Sequence, residues 1–185
     1  MQQGGKKIPI ESKNQLDVQQ ITQRHHQEMA RASAAAMEQH YQEAIEISSE
    51  LLTSGIYEQL ASAGKPRSDA HKANAESARR FRAEARLLMA TAMHYSDAHY
   101  EDIVKVLSFA VESPLDIQKD VFFTLAVVHL SFGQENEARM AMLRSLELMR
   151  QLKESGESSS ALETQVEEAN AFMKNLGEAG KSQLN

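Results

Sequence analysis

Residues 121–148, VFFTLAVVHLSFGQENEARMAMLRSLEL, constrain the fold of this chain more than any other segment. Apolar side chains recur there at steps of three and four residues, in two runs separated by a single glycine, Gly133. This spacing is typical of amphipathic helices, and a glycine between two helices is typical of the left-handed residue that ends the first one. The segment therefore predicts a helical hairpin.

Composition supports a helical protein and excludes several classes of function. The 185 residues suffice for one domain with a core, and 3 Pro and 8 Gly leave few turns for an all-β protein. A formal net charge of −6 argues against nonspecific nucleic-acid binding, and the absence of Cys excludes disulfides, thiolate zinc sites and a cysteine nucleophile. No apolar run approaches the ~20 residues that span a bilayer. We therefore expect a cytoplasmic protein with no membrane insertion and no nucleic-acid partner.

Breaks in the helical pattern divide the chain into five segments. We expect a disordered lead over 1–14, a helical repeat domain over 15–152, a linker over 153–160, a C-terminal helix over 161–176 and a flexible tail over 177–185. The expected helices number about six or seven and include a long central helix over 70–95.

Short polar and glycine signals predict where individual helices begin and end. Ser68 or Asp69 is placed to cap the long central helix, and Ser113 is placed to cap a helix that starts at Pro114. Residues 160–163, SALE, form a predicted capping box for the last helix, which Gly177 is expected to end.

The hairpin over 121–148 resembles a tetratricopeptide repeat. That motif is a helix pair with the pattern W-x2-L-G-x2-Y, then a small or glycine turn, then A-x3-F-x2-A. The matching positions of this chain are, in order, Phe122, Leu125, Ala126, His129, Gly133, Ala138, Met142 and Ser145. Small residues at Ala126, Ala138 and Ser145 would let the two helices approach closely.

Weaker copies of the motif precede this hairpin. One lies 35 residues earlier, as counted from Ile103 to Ala138, and a partial one is visible around Tyr41 and Ala44. The nearer copy is carried by Leu87, Ala90, Thr91, His94, Tyr100, Ile103, Leu107 and Ala110. The resemblance implies an all-α array of helical hairpins, an α-α superhelix with the C-terminal helix as its cap.

The resemblance also implies a binding surface, because such arrays bind peptides on the face formed by the first helix of each hairpin. The residues on that face here are Leu88, Ala92, Tyr95, Phe123, Val127 and Leu130. They predict a groove for an apolar peptide or an amphipathic helix from a protein partner. The alternative is that they belong to the core and are covered by helix 161–176. The family's carboxylate-clamp positions lack the required cations and amides, so we do not expect binding of chaperone C-termini.

Two further surfaces are candidates for partner binding. A basic stripe shares one face of the long central helix, and it indicates either a dock for an acidic partner or a solvated face balanced by Glu76 and Glu84. The stripe consists of Lys72, Arg79, Arg82 and Arg86. An apolar seam of coiled-coil spacing follows the C-terminal helix and indicates possible homo-oligomerisation. The seam consists of Leu162, Val166, Ala169, Met173 and Leu176.

The histidines do not predict a metal or catalytic site. His94, Asp97, His99 and Asp102 cluster in sequence, but their spacing matches no strong metal-binding signature, so we expect a structural or surface role and no metal. His25 and His26 have no partner nearby in sequence, and we expect both at the surface.

The sequence as a whole predicts a noncatalytic adaptor or scaffold without a cofactor. Nucleophile-elbow, P-loop, dinucleotide-binding and zinc-protease motifs are all absent from it. Two alternatives remain open. One is a small acidic chaperone for a secreted or hydrophobic client, similar in outline to type III secretion chaperones, and the other is a structural subunit of a larger complex.

Overall fold

A computed structural model describes residues 10–111, 113–157 and 159–182, and this part of the chain is helical without strands. Its elements are α1 (Ile10–Met37), α2 (Tyr41–Thr53), α3 (Ile56–Ser62), α4 (Asp69–Tyr95), α5 (Tyr100–Ser108), α6 (Leu115–Ser131), α7 (Glu135–Glu154) and α8 (Ser160–Ser182). The predicted all-α array of helical hairpins is confirmed. Within the described residues, no helix combines the length and the apolar character needed to cross a membrane.

The chain divides into two compact units, Met1–Ala85 and Arg86–Asn185, and α4 contributes to both. In the first unit, α1 packs against α2 and α3, and α2 packs against α3. In the second unit, α5 packs against α6, α6 against α7, and α7 against α8. The boundary between the units falls inside the segment 15–152, for which the sequence predicts one repeat domain.

The first unit contains a short helix that the sequence pattern did not predict. Gly55 takes a left-handed conformation with φ +74° after α2, and α3 follows it at once. Ile56, Tyr57 and Leu60 of α3 are buried, and they pack in a cluster that includes Phe81 of α4. Seven residues are too few for a helical period to stand out, so only tertiary packing makes this helix evident.

His25 of α1 is buried in the first unit, so the predicted surface position of this residue is wrong. Its Nδ1 lies 3.0 Å from the hydroxyl of Tyr57, and its Nε2 lies 3.1 Å from a carboxylate oxygen of Glu84. The imidazole stacks on Phe81 with ring centroids 4.0 Å apart. Both polar atoms of the ring have partners, which is the condition for burying a histidine at low cost. His26, the next residue, is exposed as predicted.

The residues that cap the starts of the helices agree in part with the prediction. The hydroxyl of Ser68 accepts a hydrogen bond from the backbone N–H of His71 at 3.1 Å, so it caps α4 as predicted. Ser159 caps α8 by accepting from the N–H of Leu162 at 3.1 Å, so the predicted capping box starting at Ser160 is displaced by one residue. The predicted cap at Ser113 is wrong. Its hydroxyl is buried and has no hydrogen-bond partner among the described residues, and α6 starts after Pro114.

Both ends of the chain are more helical than predicted. Helix α1 already begins at Ile10, inside the predicted lead 1–14, and residues 1–9 lie outside the described part of the chain. Helix α8 continues through Gly177 to Ser182, so the predicted end at Gly177 is wrong. Glycine in a helix costs about 1 kcal/mol relative to alanine, which is too little to end a helix by itself. Of the predicted tail, residues 183–185 lie outside the described part.

The α6–α7 hairpin packs through the small residues that the repeat pattern predicts. Ala126, Ala138 and Ser145 are fully buried. The hydroxyl of Ser145 donates a hydrogen bond to the backbone carbonyl of Lys119 at 2.7 Å, which fixes α7 against the first half of α6. Gly133 forms the turn in a left-handed conformation with φ +74°.

The seam of α8 packs inside the second unit. Leu162, Ala169 and Leu176 are buried, and Val166 and Met173 are half-buried. Helix α8 packs against α7, which makes it the cap of the α6–α7 hairpin. A buried seam cannot also serve a second copy of the chain without unpacking α8. Homo-oligomerisation through this seam would therefore require α8 to leave its packing position, and it stays a prediction.

Candidate functional site

The six predicted groove residues all lie in the second unit, but they differ in exposure. Ala92 is 1% exposed, so a ligand cannot reach its side chain. Leu88, Phe123 and Val127 are half-buried, whereas Tyr95 and Leu130 are 60% and 37% exposed. The two exposed residues lie in the last turns of α4 and α6. Exposure along this face is therefore greatest toward the carboxyl ends of these helices.

A cavity of about 530 Å³ opens at the same ends of α4 and α6, and we call it the carboxyl-end pocket. Its lining consists of His94, Asp97, Ala98, His99, Tyr100, Glu101, Ser131 and Phe132. These residues come from the end of α4, the turn that follows it, the start of α5 and the end of α6. The shared lining shows that the carboxyl ends of α4 and α6 lie close to one another.

Tight turns build the walls of this pocket. Asp97, two residues after the end of α4, takes a left-handed conformation with φ +57°, and this turn leads the chain into α5. Aspartate is one of the few residues apart from glycine that adopt this conformation at low cost. Phe132 follows the last residue of α6 and is 42% exposed, just before the left-handed Gly133. The pocket thus joins the turn after α4 and the turn after α6.

A hydrogen bond between Tyr100 and His129 fixes one wall of the pocket. The hydroxyl of Tyr100 lies 2.8 Å from Nδ1 of His129. Burial raises the pKa of Tyr100, and the carboxylates of Glu137 and Glu101 raise it further. Burial also lowers the pKa of His129, although Glu137 opposes this shift. At neutral pH both groups are therefore uncharged, and the tautomer of His129 sets which of the two donates the hydrogen bond.

The aromatic and charged groups of the pocket give it a defined chemical character. The ring of Tyr100 lies 5.3 Å from the ring of Phe132, at 49° to it, so the two rings form an open corner. Asp97 and Glu101 supply carboxylates, and none of the lining residues is Lys or Arg. Each helix that ends at the pocket also carries partial negative charge at its carboxyl end. The pocket is therefore both aromatic and electronegative.

Part of the sequence cluster of His94, Asp97, His99 and Asp102 also lines the pocket. His94 and His99 line it together with Asp97, whereas Asp102 does not. Across the residues that the structure describes, no three His, Asp or Glu side chains are grouped so as to hold a metal ion. Nδ1 of His94 is buried and finds no hydrogen-bond partner in the same part of the chain.

The basic stripe is largely occupied by contacts within the chain. Lys72 pairs with Asp69 at 3.6 Å, and Arg82 pairs with Glu58 at 2.6 Å. Arg86, which belongs to the second unit, donates to the backbone carbonyl of Phe109 at 2.7 Å and stacks over its ring. Arg79 is exposed. These contacts favour a solvated, structural face over a dock for an acidic partner.

The sequence pattern missed Phe132 and Glu101 as site residues. The repeat register assigns inner-face positions within helices, whereas both of these residues lie at helix ends beside turns. A large aromatic residue directly before a turn glycine was the available signal for Phe132, because such a position is rarely deep in a core.

Comparisons with protein-family models, with curated proteins and with solved structures give no match for this chain. The likeness to tetratricopeptide repeats accordingly remains a prediction carried by the residues of the motif.

Proposed function

We propose that this chain is a noncatalytic interaction module that binds an apolar or amphipathic helical segment of a partner protein. The binding surface is the face of α4 and α6 in the second unit that carries the predicted groove. The observation that supports this proposal is the exposure of three large apolar side chains where these helices end. Tyr95, Leu130 and Phe132 are 60%, 37% and 42% exposed there. Aromatic side chains exposed in this way are enriched in the centres of protein interfaces.

The arrangement of the less exposed residues favours a helical ligand. Two helical turns separate Leu88 from Tyr95 on α4, and two helical turns separate Phe123 from Leu130 on α6. The half-buried residues of the predicted groove, Leu88, Phe123 and Val127, form a floor that continues from the exposed carboxyl ends of α4 and α6. An amphipathic helix presents apolar residues at steps of three, four and seven along one face, which matches a floor of this periodicity.

The position of α8 leaves this end of the face uncovered. Helix α8 is hydrogen-bonded to the start of α6, where Nζ of Lys119 donates to Oε1 of Gln165 and Nε2 of Gln165 donates to Oδ1 of Asp120. Leu130 is ten residues further along α6, a distance of about 15 Å at the rise of an α-helix. The alternative that the C-terminal helix fills the whole groove is therefore disfavoured at the carboxyl end of α6.

A pair of matched substitutions tests the proposal. Leu130→Glu places a charge on the proposed surface, and Met140→Glu places the same charge on α7, where Met140 is 73% exposed. The tagged chain and both variants are used to capture proteins from cells that express the chain naturally, with bound proteins quantified by mass spectrometry. We expect Leu130→Glu to release the specifically bound partner, and Met140→Glu to retain it.

Circular dichroism controls for folding in this experiment, because both positions are exposed and neither variant should lose helix content. Partner loss with Met140→Glu but not with Leu130→Glu would move the binding surface to the outer side of α7. Equal binding by both variants and the unaltered chain would contradict the proposal.

A further inference from the structure

We infer that the carboxyl-end pocket binds the guanidinium group of an arginine side chain carried by a bound polypeptide. Only the source of the arginine rests on the proposed function. The preference of the pocket for this group follows from its own lining and can be measured without a partner protein.

The charge of the pocket selects a cation. Asp97 and Glu101 are its two carboxylates, and Lys and Arg are absent from its lining. The carboxyl ends of α4 and α6 add partial negative charge from their terminal carbonyl groups. Glu137 lies close enough to act on Tyr100 and His129 through its charge. A cation entering the pocket thus meets the carboxylates of Asp97 and Glu101 and the carboxyl ends of two helices.

The shape of the pocket selects a flat cation with an apolar stem. The rings of Tyr100 and Phe132 form a corner, and the hydrogen bond to His129 holds the Tyr100 ring in place. A guanidinium group stacks on aromatic rings while its edge donates hydrogen bonds, and it is more weakly hydrated than an ammonium group. The edge donors have acceptors available in Asp97 and Glu101. Arginine is therefore favoured over lysine.

The size of the pocket agrees with an organic group rather than a bare ion. Its volume of about 530 Å³ lies within the range of roughly 300–1,000 Å³ that is usual for small-molecule sites. Although His94, Asp97 and His99 all line the pocket, no three His, Asp or Glu side chains among the described residues are placed so as to hold a metal ion.

The test is a titration of the full chain with N-acetyl-arginine-methylamide, followed by the backbone amide signals in NMR spectra. We expect saturable shifts at Tyr100, Ser131 and Phe132 with a dissociation constant in the millimolar range, since a single side chain supplies only a few contacts. The corresponding citrulline derivative has the same shape without the charge, and should bind about tenfold more weakly. The lysine derivative should fall between the two.

Matched variants assign the binding to the pocket. Glu101→Gln removes a lining carboxylate and should weaken arginine binding about fivefold. Asp102→Asn makes the same change in net charge at the neighbouring exposed residue outside the lining, and should leave binding unchanged. Phe132→Ala should also weaken binding. Equal binding of the citrulline derivative, or equal losses with Glu101→Gln and Asp102→Asn, would overturn the inference.

The experiments distinguish a failure of the guanidinium inference from a failure of the proposed partner-binding function. Leu130→Glu should release the partner protein yet still bind the arginine derivative, because Leu130 is not in the pocket lining. If the unaltered chain binds its partner but shows no preference for the arginine derivative over citrulline, the inference fails and the proposed function stands. If it binds the derivative but captures no partner that Leu130→Glu releases, the proposed function fails and the pocket remains a guanidinium site.

Discussion

Replacing His25 by phenylalanine tests how the buried polar network stabilises the first unit. Phenylalanine keeps an aromatic ring beside Phe81, so the main loss is that of the hydrogen bonds to Tyr57 and Glu84. Glu84 is 33% exposed and can turn to water, but the hydroxyl of Tyr57 is fully buried and loses its hydrogen-bond partner. An unsatisfied buried polar group costs about 1–3 kcal/mol. We expect the variant to lose about 2 kcal/mol of unfolding free energy.

A double-mutant cycle with Tyr57→Phe isolates the hydrogen bond between the two rings. Tyr57→Phe alone should cost about 1 kcal/mol, because it removes the partner of His25 Nδ1. The double variant replaces both partners by apolar rings and leaves no buried hydroxyl. It should therefore be more stable than the sum of the single losses predicts, by about 1 kcal/mol.

Urea unfolding followed by circular dichroism measures these free energies, with His26→Phe as the matched control. His26 is the exposed neighbour of His25, so the same substitution there should change stability by less than about 0.5 kcal/mol. Strict additivity in the cycle would show that the His25–Tyr57 contact is not an energetically coupled hydrogen bond. A loss with His26→Phe equal to that with His25→Phe would refute the argument from burial.

Three further predictions concern the second unit. Gly133→Ala should lower the free energy of unfolding by about 1 kcal/mol, because the φ of Gly133 is +74° and alanine is strained there. An added Cβ meets no atom within 4 Å, so backbone strain is the only contribution. An unchanged melting temperature in thermal unfolding would contradict this. His129 should titrate in NMR spectra below its ordinary pKa of 6.5, because burial lowers its pKa. Its stabilising contribution is then present above pH 6.5 and is lost as the pH falls from there through the folded value. The NMR signal of the Glu147 carboxyl carbon should report a pKa of about 2 rather than 4.5, because hydrogen bonds from Arg150 and Gln151 lower the pKa of this carboxyl group. A midpoint near 4.5 would show that these bonds do not persist in solution.

The α6–α7 hairpin was predictable because its signal is long and repeated. Helical periodicity extends through both helices, a glycine marks the turn, and the small residues Ala126, Ala138 and Ser145 occupy the contact positions. Helix α3 was not predictable in this way, since its seven residues are ordered by the core around Tyr57 rather than by their own pattern. Local signals are also ambiguous, as Gly177 shows, because a glycine that can end a helix is also tolerated within one.

The sequence predicts the candidate site only as one face of α4 and α6, and not as a pocket. Register places Ala92 and Tyr95 on the same side of α4, but it cannot say that the short side chain of Ala92 is covered while the long one of Tyr95 projects from the surface. The pocket joins turn residues from two hairpins, and no sequence spacing connects Glu101 with Phe132. His25 illustrates the same limit, because its partners Tyr57 and Glu84 are 32 and 59 residues away.

An apolar face and a charged pocket contribute different properties to recognition. Burial of apolar surface supplies affinity but little orientation, because an amphipathic helix can lie on such a face in either direction with similar burial. A pocket at one end of the face breaks this symmetry. An arginine near one end of the ligand helix would reach Asp97 and Glu101 in only one of the two orientations. Under the proposed function, the carboxyl-end pocket therefore determines the direction and register of the bound helix, while Tyr95, Leu130 and Phe132 determine how tightly it is held.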